Sequence, residues 1–547
     1  MTKLAQKLDA ASSAKPAATA FLQTPQRGPK DLVWAAVFAL NVVALGYIMA
    51  YAFVEGDAAN LAKWQPQQLN GTFVVLGHDV SKLPSYNQWM EELSQQLSAV
   101  EGNLADNYDL LAVAFAVGLL LGIVWLQLLK RLTTCIVYLT LALVVMAVGG
   151  VGLLLSHYSQ GCLVNLSSAI GAGGSAAASC VQLAQPLSDN EAAALAYLSY
   201  AFFGLAGVLL LSVLFLRSKI SVTVAVFEEA CRGCLNNPSI VPVSLTVVTG
   251  IVSFHALWVG TWTYLLSVPS KGVIGVWYLE EGNVQTKFVL LYLVFSYFWI
   301  IAWMKALFHM CVAGIVGKWY FDRTAASQRG GSFCGSWAQL LRGLTVSLGS
   351  LAAGSLLVGC VGFLRYLLKK MNRGMQGTNS TATAAKCCVC CTKLLEKFVE
   401  GVTKYAYIFV ALEGRSFCAA GKCALQLIKD NPVQLVVMNT IDGFVLWCGK
   451  AFLTCATTSF LVLALDVLDR SFSPLFVVLS AIALWHCFEL QARIVSAASD
   501  TVFVCYIRDL ELNAGAGAGG VQMTQGVHRK LQAEISGSQK DAAPNAP

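Results

Sequence analysis

The chain has 547 residues, of which 56% are hydrophobic and only 12% are charged, and its mean hydropathy is +0.63. Soluble domains carry about 25% charged residues, so this composition excludes an ordinary water-soluble enzyme. The formal net charge of +7 is small for a nucleic-acid-binding surface in a chain of this length, and we expect no nucleic-acid partner. Apolar runs long enough to span a bilayer recur along most of the chain. They predict an all-α polytopic membrane protein.

The N-terminal region divides into a tail, one span and a polar loop. Residues 1–30 are rich in Ala, Ser, Pro and Lys, which predicts a disordered cytoplasmic tail. The apolar run from Leu32 to Val54 is long enough to cross the hydrocarbon core once. The loop 55–109 then contains eight acidic residues against Lys63 and Lys82. Because cytoplasmic loops are enriched in Lys and Arg, we place this loop outside.

Two spans, near 110–129 and 134–156, are predicted next, joined by a tight cytoplasmic turn at Lys130 and Arg131. The following loop, 157–190, contains no Lys or Arg, so we place it outside as well. Disulfides form in oxidising compartments, and we predict one between Cys162 and Cys180 in this loop. Glycosylation sequons at Asn70 and Asn165 fit the same side.

The rest of the chain predicts seven further spans, for a total of about ten. They lie near 192–216, 240–266, 288–315, 343–368, 399–420, 433–465 and 474–506, and the mixed segment 220–238 is expected at the inner interface. The transmembrane domain is therefore 31–508, and 509–547 is a flexible cytoplasmic tail. The segment 369–398 leaves two alternatives. A sequon at Asn379 favours the outside and six basic residues favour the inside.

Several long motifs resemble those of one family of membrane proteins. The run 386–432 reads KCCVCCTKLLEKFVEGVTKYAYIFVALEGRSFCAAGKCALQLIKDNP, and FVLWCGK follows at 444–450. YFWIIAWMKALFHMCVAGIVGKWYF occupies 297–321, and SLGSLAAGSLLVG occupies 347–359. These stretches resemble the choline transporter-like family, with specific motifs over about 190–508. Departures from the family pattern are Glu413, where a neutral residue is expected, and a short first outer loop.

The resemblance implies a ten-helix carrier that moves choline or a related amine, such as ethanolamine, by alternating access. A quaternary ammonium has no N–H to donate, so aromatic faces must recognise it through cation–π attraction. Aromatic stripes at helical spacing occur on 240–266 and 288–315. The predicted cage residues are Trp258, Trp262, Tyr297, Trp299, Trp303, Tyr405 and Tyr407. The alternative for each of these residues is packing or an interfacial belt.

Small residues and one acidic residue complete the predicted site. Ser347, Gly349, Ser350, Gly354 and Ser355 form a narrow helix face, which suits close helix packing or a substrate path along a loosened helix. Glu413 is costly inside a membrane, and it either pairs with Arg415 or serves transport. We expect His255 and His309 to be satisfied structural histidines.

The remaining motifs do not predict catalysis. CCxCC at 387–391 is too tightly spaced for the usual zinc site, so we expect no metal and no cofactor; the thiols are acylated if inside and paired if outside. The chain contains no HExxH and no GxSxG, and we predict that the protein is not an enzyme. A non-transporting scaffold and a channel are the alternatives to a carrier. The plasma membrane is the expected location, with an organelle membrane as the alternative.

Overall fold

The structure is a computed structural model, and it describes residues 28–56, 74–75, 78–79, 86–160, 162–164, 180–182, 189–267, 284–321, 333–374 and 379–512. These residues form twelve helices and two short antiparallel strand pairs. The helices are α1 (Leu32–Glu55), α2 (Tyr86–Ser159), α3 (Asp189–Phe215), α4 (Arg217–Asn236), α5 (Ile240–Ser267), α6 (Val284–Phe321), α7 (Phe333–Leu344), α8 (Leu348–Gly374), α9 (Asn379–Glu413), α10 (Phe417–Asp430), α11 (Pro432–Val467) and α12 (Pro474–Leu512). The strands are β1 (Val74–Val75), β2 (His78–Asp79), β3 (Cys162–Val164) and β4 (Cys180–Gln182). The all-α polytopic fold predicted from the sequence is confirmed.

Within the described residues, eight helices are long and apolar enough to cross a membrane. They are α1, the part of α2 from Val100, α3, α5, α6, α8, α11 and α12. The first span, predicted as 32–54, is confirmed by α1. The count differs from the ten predicted spans at α2 and at α9.

The predicted turn at Lys130 and Arg131 is wrong, because α2 is one continuous helix from Tyr86 to Ser159. Neither Gly nor Pro is present between 123 and 148, so nothing in the local sequence breaks the helix. The two charged residues therefore mark no turn. Helix α2 also begins inside the segment 55–109 that the sequence predicted as a loop.

The predicted span 399–420 is also wrong, because α9 ends at Glu413 and α10 begins at Phe417. Gly414 adopts a φ of 63° between them, a conformation that favours glycine. Between Glu396 and Glu413 the helix carries five charged residues, which keeps α9 outside the group of membrane-spanning candidates. The motif around the AYI sequence is therefore a broken helix.

The chain forms two compact units. Among the described residues, one unit contains those within 28–127, 229–432 and 446–512, and the other contains those within 128–228 and 433–445. In the first unit, α6 packs against α1, α5, α7, α8, α9 and α12, so it lies at the centre of the helices that carry the predicted site. A smaller core in this unit joins Ala114, Leu461, Leu465 and Phe476. In the second unit, Gln434 Nε2 donates to Thr223 Oγ1 at 3.1 Å.

Helix α1 shows why these helices suit a membrane. Phe38, Asn41, Leu45 and Ala52 are buried on one face, at the spacing of a helix stripe. Apolar side chains such as Leu40 and Val43, each 69% exposed, cover the rest. An apolar surface of this kind is stable when lipid surrounds it, because lipid tails are as apolar as leucine.

Candidate functional site

Trp299 and Trp303 of α6 form one aromatic cluster with Phe38 of α1. The Phe38 ring centroid lies 5.4 Å from that of Trp299 and 4.9 Å from that of Trp303. The two tryptophans are one helical turn apart, so both face α1, and both are buried. We call Phe38, Trp299 and Trp303 the tryptophan cluster. Phe38 was not among the residues predicted from the sequence.

The indole nitrogens of the two tryptophans differ in their partners. Trp299 Nε1 donates to the backbone oxygen of Ala352 at 3.2 Å. Trp303 Nε1 is buried and has no hydrogen-bond partner among the described residues. Tryptophan N–H groups usually find a partner when they are buried. Trp303 therefore offers an unused donor and an aromatic face in the same place.

Glycine on α8 lets this helix approach the tryptophan cluster closely. A Cβ atom placed on Gly359 would lie 3.0 Å from the Cα atom of Trp299, which is tighter than ordinary van der Waals contact. Helix interfaces in membranes use small residues for this purpose. Gly359 therefore allows close packing of α8 against α6.

Three other cage candidates form a second cluster between α5 and α6. The ring centroids of Trp258 and Tyr297 are 4.5 Å apart, and those of Trp258 and Trp262 are 5.7 Å apart. Trp258 Nε1 donates to the backbone oxygen of Leu293 at 3.3 Å. Tyr297 Oη lies 3.0 Å from His255 Nε2. Since His255 Nδ1 also contacts the backbone oxygen of its own helix at 2.7 Å, this histidine is satisfied, as the sequence predicted.

The last two cage candidates, Tyr405 and Tyr407 of α9, have different partners on other helices. Tyr405 Oη donates to Asp500 Oδ1 at 3.2 Å, and Lys404 Nζ lies 2.7 Å from Asp500 Oδ2. Tyr407 packs against Phe417, with ring centroids 6.3 Å apart, and its buried hydroxyl has no hydrogen-bond partner within the described ranges. The predicted cage is therefore divided among three separate clusters.

A carboxylate that the sequence did not single out ties three elements together. Asp31 Oδ2 accepts hydrogen bonds from Ser350 Oγ at 2.6 Å and from the backbone N–H of Phe417 at 2.8 Å. Asp31 has a φ of 57°, which is unusual for a residue other than glycine. A Cβ on Gly349 would lie 2.2 Å from the Asp31 backbone oxygen. We call Asp31, Gly349, Ser350 and Phe417 the Asp31 junction.

The other predicted small residues are Ser347, Gly354 and Ser355. Ser355 and Gly354 have local contacts, and the structure assigns no role to Ser347. Ser355 Oγ donates to the backbone oxygen of Ala352 on its own helix at 3.0 Å. Ser347 is buried beside a cleft. A Cβ on Gly354 would lie 2.7 Å from Tyr407 Oη, so this glycine admits the tyrosine.

A small, partly open cleft lies beside the Asp31 junction. Its lining includes Lys30, Arg342, Ser347, Ser350, Gly414 and Arg415. None of the predicted cage residues lines it. The basic side chains fit the cytoplasmic side that the sequence predicts for Lys30.

Glu413 is shared by two arginines. It pairs with Arg415, as one of the two alternatives expected, and its Oε1 lies 3.0 Å from Arg508 Nε. Arg508 is more than ninety residues away along the chain, and no sequence motif indicated this partner. Two cations beside one carboxylate favour a structural role, because the charge is already neutralised.

Several predicted features fall outside the described residues or on side chains that are not described. Asn70 and Asn165 lie outside the described residues, and Asn379 begins α9. Pairing of β3 with β4 places Cys162 opposite Gln182 and Cys180 opposite Val164, and the disulfide stays a prediction. Among the residues that the structure describes, no group of three His, Cys, Asp or Glu side chains could hold a metal ion.

Comparison with known proteins decides the family. The model of the plasma-membrane choline transporter family matches residues 200–511, which is more than half of the chain. The chain belongs to the choline transporter-like family. The match includes α5, α6, the Asp31 partners Ser350 and Phe417, and the break at Gly414.

Individual relatives are similar to the chain over different lengths. A CTL-like protein of Dictyostelium discoideum is 28% identical over 519 residues, covering 92% of this chain and 88% of the relative. Choline transporter-like protein 1 of Rattus norvegicus is 27% identical over 322 residues, covering 56% of this chain and 47% of the relative. Choline transporter-like protein 2 of Danio rerio is 28% identical over 365 residues, covering 56% of this chain and 51% of the relative. The alignments therefore span about half the length of the two vertebrate relatives.

Proposed function

We propose that this multi-pass membrane protein carries choline or a related small amine, and that the tryptophan cluster binds the cation. The observation that supports this proposal is the position of Phe38 between Trp299 and Trp303, at 5.4 and 4.9 Å. A quaternary ammonium held against a desolvated aromatic ring gains about 2 kcal/mol. Three rings from two helices replace part of the water that the cation loses.

The tryptophan cluster is the best of the three aromatic groups for this role. Trp299 and Trp303 are buried, and desolvation strengthens cation–π attraction. The rings of Tyr297 and Trp258 pack against each other. Trp258 also bonds a backbone oxygen, and Tyr297 contacts a histidine. Tyr405 is already committed to Asp500. Of the three groups, only the tryptophan cluster places two buried tryptophans, the best rings for cation–π attraction, side by side.

Transport requires that the bound cation is exposed to each side in turn. Phe38 lies seven residues beyond Asp31, which is about 10.5 Å along the axis of α1. In the predicted topology, the Asp31 junction is therefore on the cytoplasmic side of the tryptophan cluster. We propose that this junction closes the inner side and that the break at Gly414 permits α10 to move away from α1.

The membrane potential supplies the energy for uptake, because the substrate carries a positive charge. About 2.3 kcal/mol is available per unit charge at 100 mV. This favours accumulation in a negative interior without a coupled ion. The plasma membrane is the proposed location, since that potential exists there.

A non-transporting scaffold is the second candidate function. It is favoured by the direct ring-to-ring contacts in all three aromatic clusters and by the position of the cleft beside the Asp31 junction. A carrier must open space between these rings in another conformation. A scaffold keeps them packed.

Ligand-induced stabilisation separates the two. Purified protein is heated with choline, ethanolamine, betaine or carnitine, since a ligand that binds only the folded state raises the apparent Tm. We expect choline to raise the Tm of the wild type and to leave that of Trp303→Ala unchanged. Trp447→Ala is the matched control, because Trp447 is an exposed tryptophan on α11, and it should keep the full shift. A wild type that no cation stabilises would favour the scaffold.

A further inference from the structure

Asn41 lies one helical turn from Phe38 on the buried face of α1. It is 6% exposed. Three residues along a helix correspond to about 4.5 Å, so the amide is close to the tryptophan cluster on the same helix face. Asn41 therefore places a buried polar group beside the tryptophan cluster, where an apolar side chain would suffice for helix packing.

One end of the Asn41 amide is fully engaged with α6. Tyr292 Oη donates to Asn41 Oδ1 at 2.9 Å, and Ser296 Oγ donates to the same oxygen at 2.8 Å. Tyr292 Oη also lies 3.1 Å from the Asn41 backbone oxygen. These contacts place the Asn41 amide against α6.

The other end of the amide is unused. Asn41 Nδ2 is buried and has no hydrogen-bond partner in the part of the chain that the structure describes. A buried N–H without an acceptor is unfavourable. Packing between α1 and α6 explains the contacts of Oδ1, but it gives no reason for an asparagine whose nitrogen is unpaired. A bound ligand with a hydrogen-bond acceptor would give Asn41 Nδ2 the partner that it lacks, while Oδ1 keeps its partners on α6.

We propose that Asn41 selects small onium ions that carry a hydroxyl two carbons from the nitrogen. This inference rests on the proposed function. The onium group lies against Phe38, Trp299 and Trp303, and the hydroxyl oxygen accepts a hydrogen bond from Asn41 Nδ2. The two-carbon link of choline and of ethanolamine is comparable in length to the single helical turn between Phe38 and Asn41. Asn41 is therefore a specificity-determining residue, and Tyr292 and Ser296 are its positioning residues.

The test compares two labelled cations in proteoliposomes containing the full chain. Propyltrimethylammonium replaces the hydroxyl of choline by a methyl group and keeps its charge and shape. We expect wild-type uptake to favour choline by about tenfold, the selectivity of one buried hydrogen bond. Asn41→Leu should lower choline uptake by about that factor and leave propyltrimethylammonium uptake unchanged or increased. The second cation thus reports whether the variant is folded.

Further variants distinguish selection from packing. Asn41→Ser keeps a hydroxyl donor and should recover part of the preference for choline. Asn107→Ala removes a buried asparagine that bonds Asn103 and Ser471 and should leave the ratio of the two cations unchanged. Tyr292→Phe should reduce the ratio less than Asn41→Leu, since it leaves the amide nitrogen in place.

The outcomes separate this inference from the proposed function. If Asn41→Leu lowers the uptake of both cations equally, Asn41 is a packing residue and the inference is overturned while the carrier stands. Equal uptake of both cations by the wild type also overturns it. If the wild type transports neither cation, the proposed function fails and the inference fails with it.

Discussion

Asp31 and Ser350 are 319 positions apart in the sequence, and the carboxylate of one accepts a hydrogen bond of 2.6 Å from the hydroxyl of the other. The same oxygen accepts the backbone N–H of Phe417, the first residue of α10. A carboxylate at a helix N-terminus is favoured by the helix dipole and by the free N–H groups there. One side chain therefore fixes the start of α1 to α8 and to α10.

Replacing Asp31 by Asn should destabilise the protein. Hydrogen bonds to a charged group contribute about 1.5–3 kcal/mol each, and the neutral amide weakens both. We expect a lower apparent Tm for the purified protein. Asp469→Asn is the matched control, because Asp469 also has a positive φ but is exposed, and its Tm should match the wild type. Equal values for the two variants would show that the Asp31 junction does not stabilise the fold.

Gly349→Ala should also destabilise the protein. The new Cβ would lie 2.2 Å from a backbone oxygen of Asp31, and backbone cannot swing away as a side chain can. Overpacking of this kind costs about 1–3 kcal/mol. Gly421→Ala is the control, since a Cβ there meets nothing within 4 Å and alanine favours the helix. If both variants show the same Tm, α1 does not approach α8 as described.

Glu413 should prove to be structural and unrelated to proton coupling. Glu413→Gln leaves Arg415 and Arg508 without their shared carboxylate, and loss of one partner of a buried ion pair costs up to about 3–5 kcal/mol. Because both arginines are partly exposed, we expect a smaller loss, seen as a lower denaturation temperature. The pH dependence of choline uptake should stay that of the wild type. A changed pH profile with an unchanged denaturation temperature would assign Glu413 to transport instead.

Cys234 of α4 should be chemically inert. Burial raises the pKa of its thiol to about 12, and only the thiolate is a strong nucleophile. A maleimide at pH 8 should therefore label Cys234 only after the protein is unfolded in detergent. Cys334 is exposed and should react in the folded protein. Equal labelling of both before unfolding would show that the interior around α4 is open.

Much of the fold could be predicted from hydropathy, because bilayer thickness sets the length of apolar runs. The runs at 32–54, 240–266 and 474–506 are close to the bounds of α1, α5 and α12. Lys130 and Arg131 were misinterpreted, since two charges on a helix do not by themselves make a turn. The break at Gly414 was missed because the apolar stretches 405–412 and 417–420 read as one span across the short polar segment 413–416.

The candidate site was predicted only in part, for a similar reason. Aromatic periodicity singled out Trp299 and Trp303, which the structure brings together. It could not show that Trp258 and Tyr405 belong to other clusters, because helix positions in space are not encoded in a periodicity. Asp31 and Asn41 were missed because isolated polar residues in or beside a span become informative only when their partners on other helices are known.

The central claim is that the tryptophan cluster binds the transported cation. It is tested most directly by uptake of labelled choline into proteoliposomes with an inside-negative potential. The wild type should accumulate choline, and depolarisation should reduce the accumulation. Trp299→Ala and Trp303→Ala should each abolish most of the flux, while Trp447→Ala should keep it. Undiminished potential-driven uptake by both cluster variants would contradict the account.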